Sequence, residues 1–176
     1  LDHEGATELS PREFLPLCAL GTLADLVPLR GENRILSWFG LKRIFLDSPP
    51  GLLALLNESG IDETSLPETE DLTFKVAPRI NACGRLNQPE TALELLLASD
   101  DSTCRKLARQ TTILNTRRKE IEATLTEEAL RQAHGNFSQT AAAVAYGSGP
   151  CWHPGVVGIV AGKLANSLNK PCLVLA

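Results

Sequence analysis

The run CALGTLADLVPL (Cys18 to Leu29) holds one carboxylate, Asp25, which with Thr22 supplies its only polar side chains. Burying an unpaired carboxylate is costly, so an acid in this setting needs a cation, hydrogen-bond donors or open water. The residue alone leaves two readings open: a helix-end acid that faces solvent or caps the next segment, or an acid with a chemical partner. Farther along, PRINACGR concentrates Arg79, Asn81, Gly84 and Arg85, and the nearest acids, Asp71 and Glu90, stand several residues away. Two arginines around an Asn and a Gly can grip phosphate oxygens in bidentate fashion. Alternatively, Arg79 or Arg85 braces this loop against helix-end carbonyls. A third group is GSGPCWHPGVVG, with Trp152, His153 and Gly155 between a strand pattern and a helix pattern. The N-terminus of a helix that follows a strand offers N–H groups and positive dipole to an anion, so phosphate is the expected ligand. The other reading is an ordinary strand-to-helix turn with Trp152 as a core plug. As a set, these residues suit phosphodiester chemistry better than acyl or hydride transfer. No nucleophile elbow, Walker loop, zincin helix or dinucleotide fingerprint is present, and His3 and His134 read as incidental surface residues.

The elements that must position these groups follow from local patterns. Ser10-Pro-Arg-Glu13 has the form of a capping box and predicts a helix that runs towards Asp25 and ends before Pro28. Between Glu32 and Phe45, the apolar positions Ile35, Trp38, Phe39, Leu41 or the stem of Lys42, and Phe45 predict an amphipathic helix. Ser48-Pro-Pro-Gly opens a short helix through Leu56, a polar connector follows to Leu66, and a helical turn through Leu72, Phe74 and Val76 leads into the PRINACGR loop. Pro89 starts another helix, and Asp100-Asp101-Ser102 supplies a turn and an N-cap for the next. From there to His134 neither Pro nor Gly intervenes, which predicts one helix of about 45–50 Å with Leu107, Leu114 and Ile121 on its apolar face. Its cations, Arg105, Lys106, Arg109, Arg117, Arg118 and Lys119, read as mostly a solvated face beside Glu120, Glu122, Glu127 and Glu128, the alternative being a nucleic-acid contact from its first half. TAAAVAYG (Thr140 to Gly147), GVVGIVAGKLANSLN and PCLVLA then read as strand, helix and strand, a βαβ unit that implies a parallel sheet.

Composition sets the outer bounds. The 176 residues are 43% hydrophobic and 22% charged, as in globular chains, and no apolar stretch is long enough to span a bilayer, so a cytoplasmic protein is expected. Five cysteines without a C-x-x-C pair read as reduced thiols. A net charge of −4 argues against a surface that grips nucleic acid all over, while leaving room for a local basic groove. The chain starts at Leu1 and ends on the strand-like LVLA, so both ends are expected to continue in a longer protein.

Taken together, ALGTLADLVPLRGENR, FKVAPRINACGRLNQPETALELLL and WHPGVVGIVAGKLANSLNKPCLVLA resemble the RecJ single-stranded-DNA exonucleases of the DHH phosphoesterase superfamily. Their order is the family's, NTRRKEIE has the texture of its inter-domain helix, and the resemblance runs from Ser10 nearly to the end. It implies an α/β chain in three parts: the C-terminal helical part of a DHH core domain (1–100), a long connector helix (101–134) and the βαβ start of a second, substrate-binding parallel-sheet domain (135–176). It implies one or two Mn²⁺ or Mg²⁺ ions held by aspartates and a histidine, with Asp25, in GTLAD, as a catalytic metal ligand. Arg79, Asn81 and Arg85, in R-x-N-x-x-G-R, and His153, in W-H-x-G-V, would contact substrate phosphate, with Gly84 and Gly155 shaping those loops.

The implied activity is 5′→3′ hydrolysis of single-stranded DNA in recombination and repair, with single-stranded DNA and a single-strand-binding protein as partners. The family's Asp-His-His motif and other acidic motifs, which bring most metal ligands, lie outside this sequence, so the isolated chain is expected to lack nuclease activity. Two alternatives stand beside this: a superfamily phosphoesterase acting on short oligonucleotides or nucleotides, and a non-catalytic nucleic-acid-binding relative. The long helix favours the exonuclease, because a long connector leaves room for a strand.

Overall fold

A computed structural model describes residues 10–139 and 145–176. The chain divides into two units, one holding the described residues up to Ile80 and Glu90–Thr112, the other Asn81–Pro89 and Ile113–Ala176. The long helix contributes residues to both units.

In the first unit, Ser10 accepts a hydrogen bond from the Arg12 N–H at 3.4 Å and starts a 3-10 turn, Pro11–Phe14, that runs into α1 (Leu15–Ala24). The Ser10 cap is therefore present, on Arg12 rather than on Glu13. There follow α2 (Gly31–Lys42), α3 (Ile44–Asp47) and α4 (Pro50–Glu58). Leu20, Leu23, Ile44, Leu52, Leu55, Leu56, Leu72, Val76 and Leu95 form the buried core.

Of the expected apolar positions, only Leu41 and Phe45 pack against the first core. Ser37 and Gly40 are buried, while Ile35, Trp38 and Phe39 are exposed. The physical reason is close approach: a Cβ on Gly40 would lie 2.2 Å from the Leu15 carbonyl oxygen and 2.5 Å from the Ala19 Cβ. Small residues let α1 and α2 touch backbone to side chain, so the large residues are turned the other way.

PRINACGR is not a loop. A π-helical segment, Asp71–Val76, continues directly into α5 (Ala77–Arg85), so Arg79, Asn81, Gly84 and Arg85 all sit on a helix. Pro78 cannot donate to the carbonyl one turn back and its ring crowds that carbonyl, and a widened turn just before it accommodates both problems.

After α6 (Pro89–Leu97), α7 (Asp101–Gln139) runs for 39 residues, about 58 Å, and passes straight through Gly135, where the sequence pattern had it end. In the second unit, Leu125, Ala129 and Ala133 of α7 pack with Trp152, Val156, Val160 and Leu164. Strand β1 (Ala145–Ser148) pairs in parallel with β2 (Cys172–Leu175), Ala145 opposite Cys172, and α8 (Pro154–Leu168) lies between them in sequence. This is the expected βαβ unit; the first part of the predicted strand, 140–144, lies outside the described residues. The chain is thus α/β, mostly helical with a two-stranded parallel sheet. None of the five cysteines forms a disulfide, and among the described residues no helix is long and apolar enough to cross a membrane.

Arg118 and Glu122 are not solvated. Glu122 is buried and receives Arg118 from its own helix and Lys163 from α8, while Arg118 also donates to Asn115 Oδ1 at 2.9 Å. A buried carboxylate persists only when paired in this way.

At the start of α7, Asp100 accepts the Thr103 N–H at 2.8 Å, and this bond holds its carboxyl below the ordinary value of 3.8. A depressed carboxyl contributes stability that is fully present above its unfolded pKa and is lost as pH falls through its lower folded value. The Thr103 amide will therefore exchange faster as pH falls below about 4, after correction for intrinsic exchange, and Asp100→Asn will remove that pH dependence while keeping a cap. Exchange read by NMR across that range checks it.

Candidate functional site

Asp25 caps the C-terminus of α1 and is exposed, so the solvent-facing arrangement is the one observed. Its setting is nevertheless unfavourable twice over. A carboxylate at the negative end of a helix dipole is opposed by the last carbonyls, and no hydrogen bond or ion pair of its side chain is found among the described residues. Next to it, Leu26 takes φ +53°, closing a Schellman turn with Leu26 N–H on Leu23 O (3.2 Å) and Val27 N–H on Thr22 O (3.3 Å). The comparable positive-φ positions after α4, α5 and α8 are Gly60, Asn87 and Asn169, residues that tolerate the left-handed region. Leu26 is the exception, and backbone strain held beside an uncompensated acid points to function. Leu26 and Val27 also line a shallow groove of about 220 Å³ with Leu29 and Phe74.

Asp25 suits a divalent cation as one anionic oxygen ligand. Among the described residues no three His, Cys, Asp or Glu side chains converge to hold a metal, so Asp25 fits one position of such a site and the rest would come from elsewhere.

Arg79 also lies in the first unit, where it donates to Thr112 Oγ1 at 3.0 Å and to the Lys75 carbonyl. Burial pushes its guanidinium pKa down, with the Glu58 carboxylate opposing. The bracing alternative describes Arg79 as it stands: it ties the π-helical segment to α7.

In the second unit Arg85 and His153 meet at one glycine. Gly155 donates its N–H to His153 Nδ1 at 3.1 Å and accepts Arg85 Nη1 on its carbonyl at 3.1 Å. A Cβ on Gly155 would stand 2.0 Å from the Arg85 carbonyl oxygen, so only glycine permits this approach. Asn81 and Arg85, four apart on α5, are both exposed on one helix face. Gly84 is different: it is helical with open space where a Cβ would stand, and it shapes no loop.

The expected free N–H groups at the start of α8 are not there. Pro154 has none, Gly155 donates to the His153 ring, and Val156 and Val157 donate to the His153 carbonyl at 2.9 and 3.2 Å. Because His153 Nδ1 is an acceptor, its proton sits on Nε2, and the ring rather than the backbone is what this helix start can offer an anion. His153 and Cys151 line a groove of about 410 Å³ with Arg117, Glu120 and Thr124 of α7. Trp152 is the core plug, buried, with its indole N–H on Glu128 at 3.1 Å.

Two supports went unread in the sequence. Glu122 joins α7 to α8 through Lys163, and Gln132 pairs both ends of its amide with the Ser148 backbone (2.9 and 3.0 Å), as a neighbouring strand would. The i,i+4 spacing of Arg118 and Glu122 was visible, but nothing local marks Lys163 or Ser148 as partners.

No family model matches the chain. The single-stranded-DNA-specific exonuclease RecJ of Bacillus subtilis is 40% identical over 166 residues, which is 94% of this chain and 21% of that protein. Crystal structures of Thermus thermophilus RecJ with Mg²⁺ and with Mn²⁺ superpose with a TM-score of 0.83 at 37% identity, covering 94% of this chain and 26% and 24% of theirs. Over its own length, this chain matches a segment of RecJ in sequence and in fold. It spans 21% to 31% of the length of the curated RecJ relatives it matches.

Two substitutions test the site's geometry. Leu26→Asn will relieve strain and stabilise the chain by about 0.5–1 kcal/mol. Gly155→Ala will force Arg85 and α8 apart and destabilise by about 1–3 kcal/mol. Urea unfolding followed by circular dichroism reads both.

Proposed function

We propose that this chain is part of a RecJ-type 5′→3′ single-stranded-DNA exonuclease, in which Asp25 is a metal ligand and Arg85, Asn81 and His153 contact the phosphates of the strand. The observation that supports the phosphate reading is the pairing through Gly155, which holds a guanidinium and an imidazole at one turn by the two polar groups of one residue. Arg85 offers a planar fork to a phosphate, His153 offers Nε2–H, and Asn81 extends the same face by one helical turn. Arg79 positions that helix through Thr112 rather than touching the strand.

Asp25, with ligands from the rest of the protein, would hold Mn²⁺ or Mg²⁺, the ions present in the Thermus thermophilus RecJ crystals. Such ions, when bound, activate water and stabilise the leaving oxygen of an in-line displacement. The exposed setting of Asp25 leaves its carboxylate accessible to a cation, and the strained turn fixes where it points. A role in recombination and repair, a cytoplasmic location and cooperation with a single-strand-binding protein belong to the same reading. With one candidate ligand, the isolated chain is inactive.

Full-length protein supplied with Mn²⁺ will degrade 5′-labelled single-stranded DNA from the 5′ end. Asp25→Asn will lower the rate by more than about 100-fold. Arg85→Ala will weaken strand binding and reduce the log–log salt slope of affinity by about 0.7, the value for one lost phosphate contact on a single strand. Hydrolysis confined to dinucleotides would sink the exonuclease reading, and an unchanged rate for Asp25→Asn would remove Asp25 from the site.

A further inference from the structure

We infer that the groove between α7 and the α8 turn is a further phosphate subsite for a single strand, in which Arg117 holds the phosphate and Glu120 weakens that hold enough for the strand to leave. The inference deepens the proposed reading and rests on it. Arg117, Glu120, Ile121 and Thr124 fall at positions i, i+3, i+4 and i+7 of α7, so they share one helix face. That face lines the groove of about 410 Å³ together with Cys151 and His153 of the α8 turn. Two adjacent arginines on α7 have opposite fates. Arg118 is spent inside the fold on Glu122 and Asn115, whereas Arg117 is exposed. Among the described residues neither the Arg117 guanidinium nor the Glu120 carboxylate has a hydrogen bond or ion pair, although both line the same groove. An incoming anion therefore meets a guanidinium with no ion pair to break.

The chemistry of the walls selects the occupant. A planar guanidinium fork and the His153 Nε2–H, left over once Nδ1 has taken the Gly155 N–H, suit the non-bridging oxygens of a phosphodiester. Half-buried Ile121 and buried Leu125 supply an apolar floor for the sugar. The subsite is continuous with the Arg85 contact, because the glycine that holds the His153 ring also accepts Arg85. A strand that passes from Arg85 to His153 reaches Arg117 next. Lys163 on Glu122 and Trp152 in the second core keep the two walls at a set separation. Glu120 lies about one helical turn from Arg117, well inside the screening length of about 8–10 Å, so it repels the phosphate that Arg117 attracts. A subsite with both charges holds weakly and releases.

Equilibrium binding of the full-length protein to fluorescent oligothymidylate, without divalent ions and across a salt series, tests this independently of hydrolysis. Arg117→Ala will weaken binding roughly tenfold and lower the log–log salt slope by about 0.7. Arg105→Ala removes an equal charge from the same helix at a residue paired with Asp101, and it will leave both quantities as they were. Equal losses in the two variants overturn the subsite, because net charge alone then accounts for binding. An unchanged affinity for Arg117→Ala overturns it as well. Glu120→Gln will tighten binding roughly threefold, and no tightening overturns its part in release. A protein that binds the strand through Arg117 but hydrolyses none of it would refute the exonuclease reading and leave the subsite standing. Hydrolysis of single strands with Arg117→Ala binding unchanged would do the reverse.

Discussion

Neither hydrophobic core closes without α7. Its first part contributes Leu107 and Ala108 to the core of the first unit, and its later turns contribute Leu125, Ala129 and Ala133 to that of the second. Because one uninterrupted helix serves both, any break in its ladder would detach an apolar stripe from one of the two. The absence of proline between Asp101 and Gln139 is thus a packing requirement, and the Asp100 cap sets where the helix begins. Small residues matter as much as large ones here: Ala129 leaves the space that Gly147 of β1 occupies, 3.4 Å from where a Cβ would stand.

The turn that carries His153 is fixed from several directions at once. Trp152 anchors one side in the second core and donates to Glu128; Gly155 meets the Arg85 carbonyl on another; Lys163, farther along α8, is drawn to the buried Glu122. These are different kinds of force, burial, steric fit and charge pairing, and they agree on one placement. Agreement of this sort is what holds a polar side chain to a small range of positions, as a binding site needs.

Much of the fold was legible because its signals are local. Pro11, Pro50, Pro89 and Pro154 open helices, Ser10 and Asp100 cap, and the βαβ pattern of the last forty residues follows from hydrophobic runs of the right length. What stayed hidden depends on partners distant in sequence. Apolar periodicity identified α2 but could not rank Trp38 against Gly40, since only the approach of α1 decides that a missing side chain is the better contact. Arg118 and Glu122 looked like surface charges because nothing near them in sequence announces Lys163. The arginine motif read as a loop because Pro78 and Gly84 are usual loop residues, and the π-helical turn that absorbs the proline leaves no local mark.

For the candidate site, the sequence placed the α8 turn but not the donors that it leaves free. Its glycine and its place after a strand suggested a backbone cradle for phosphate, yet His153 and its own carbonyl take up the first N–H groups of the helix. The helix dipole survives this capping, but its positive end is now presented through an imidazole edge and a neighbouring guanidinium. Side-chain donors on two elements, α5 and α8, can follow a phosphate as successive nucleotides pass, whereas a closed ring of backbone amides would hold one phosphate in one position. Under the proposed reading, contacts to a strand form and release at each step, and a cap that spends the backbone donors locally leaves that role to the exposed Arg85 and the half-buried His153 ring.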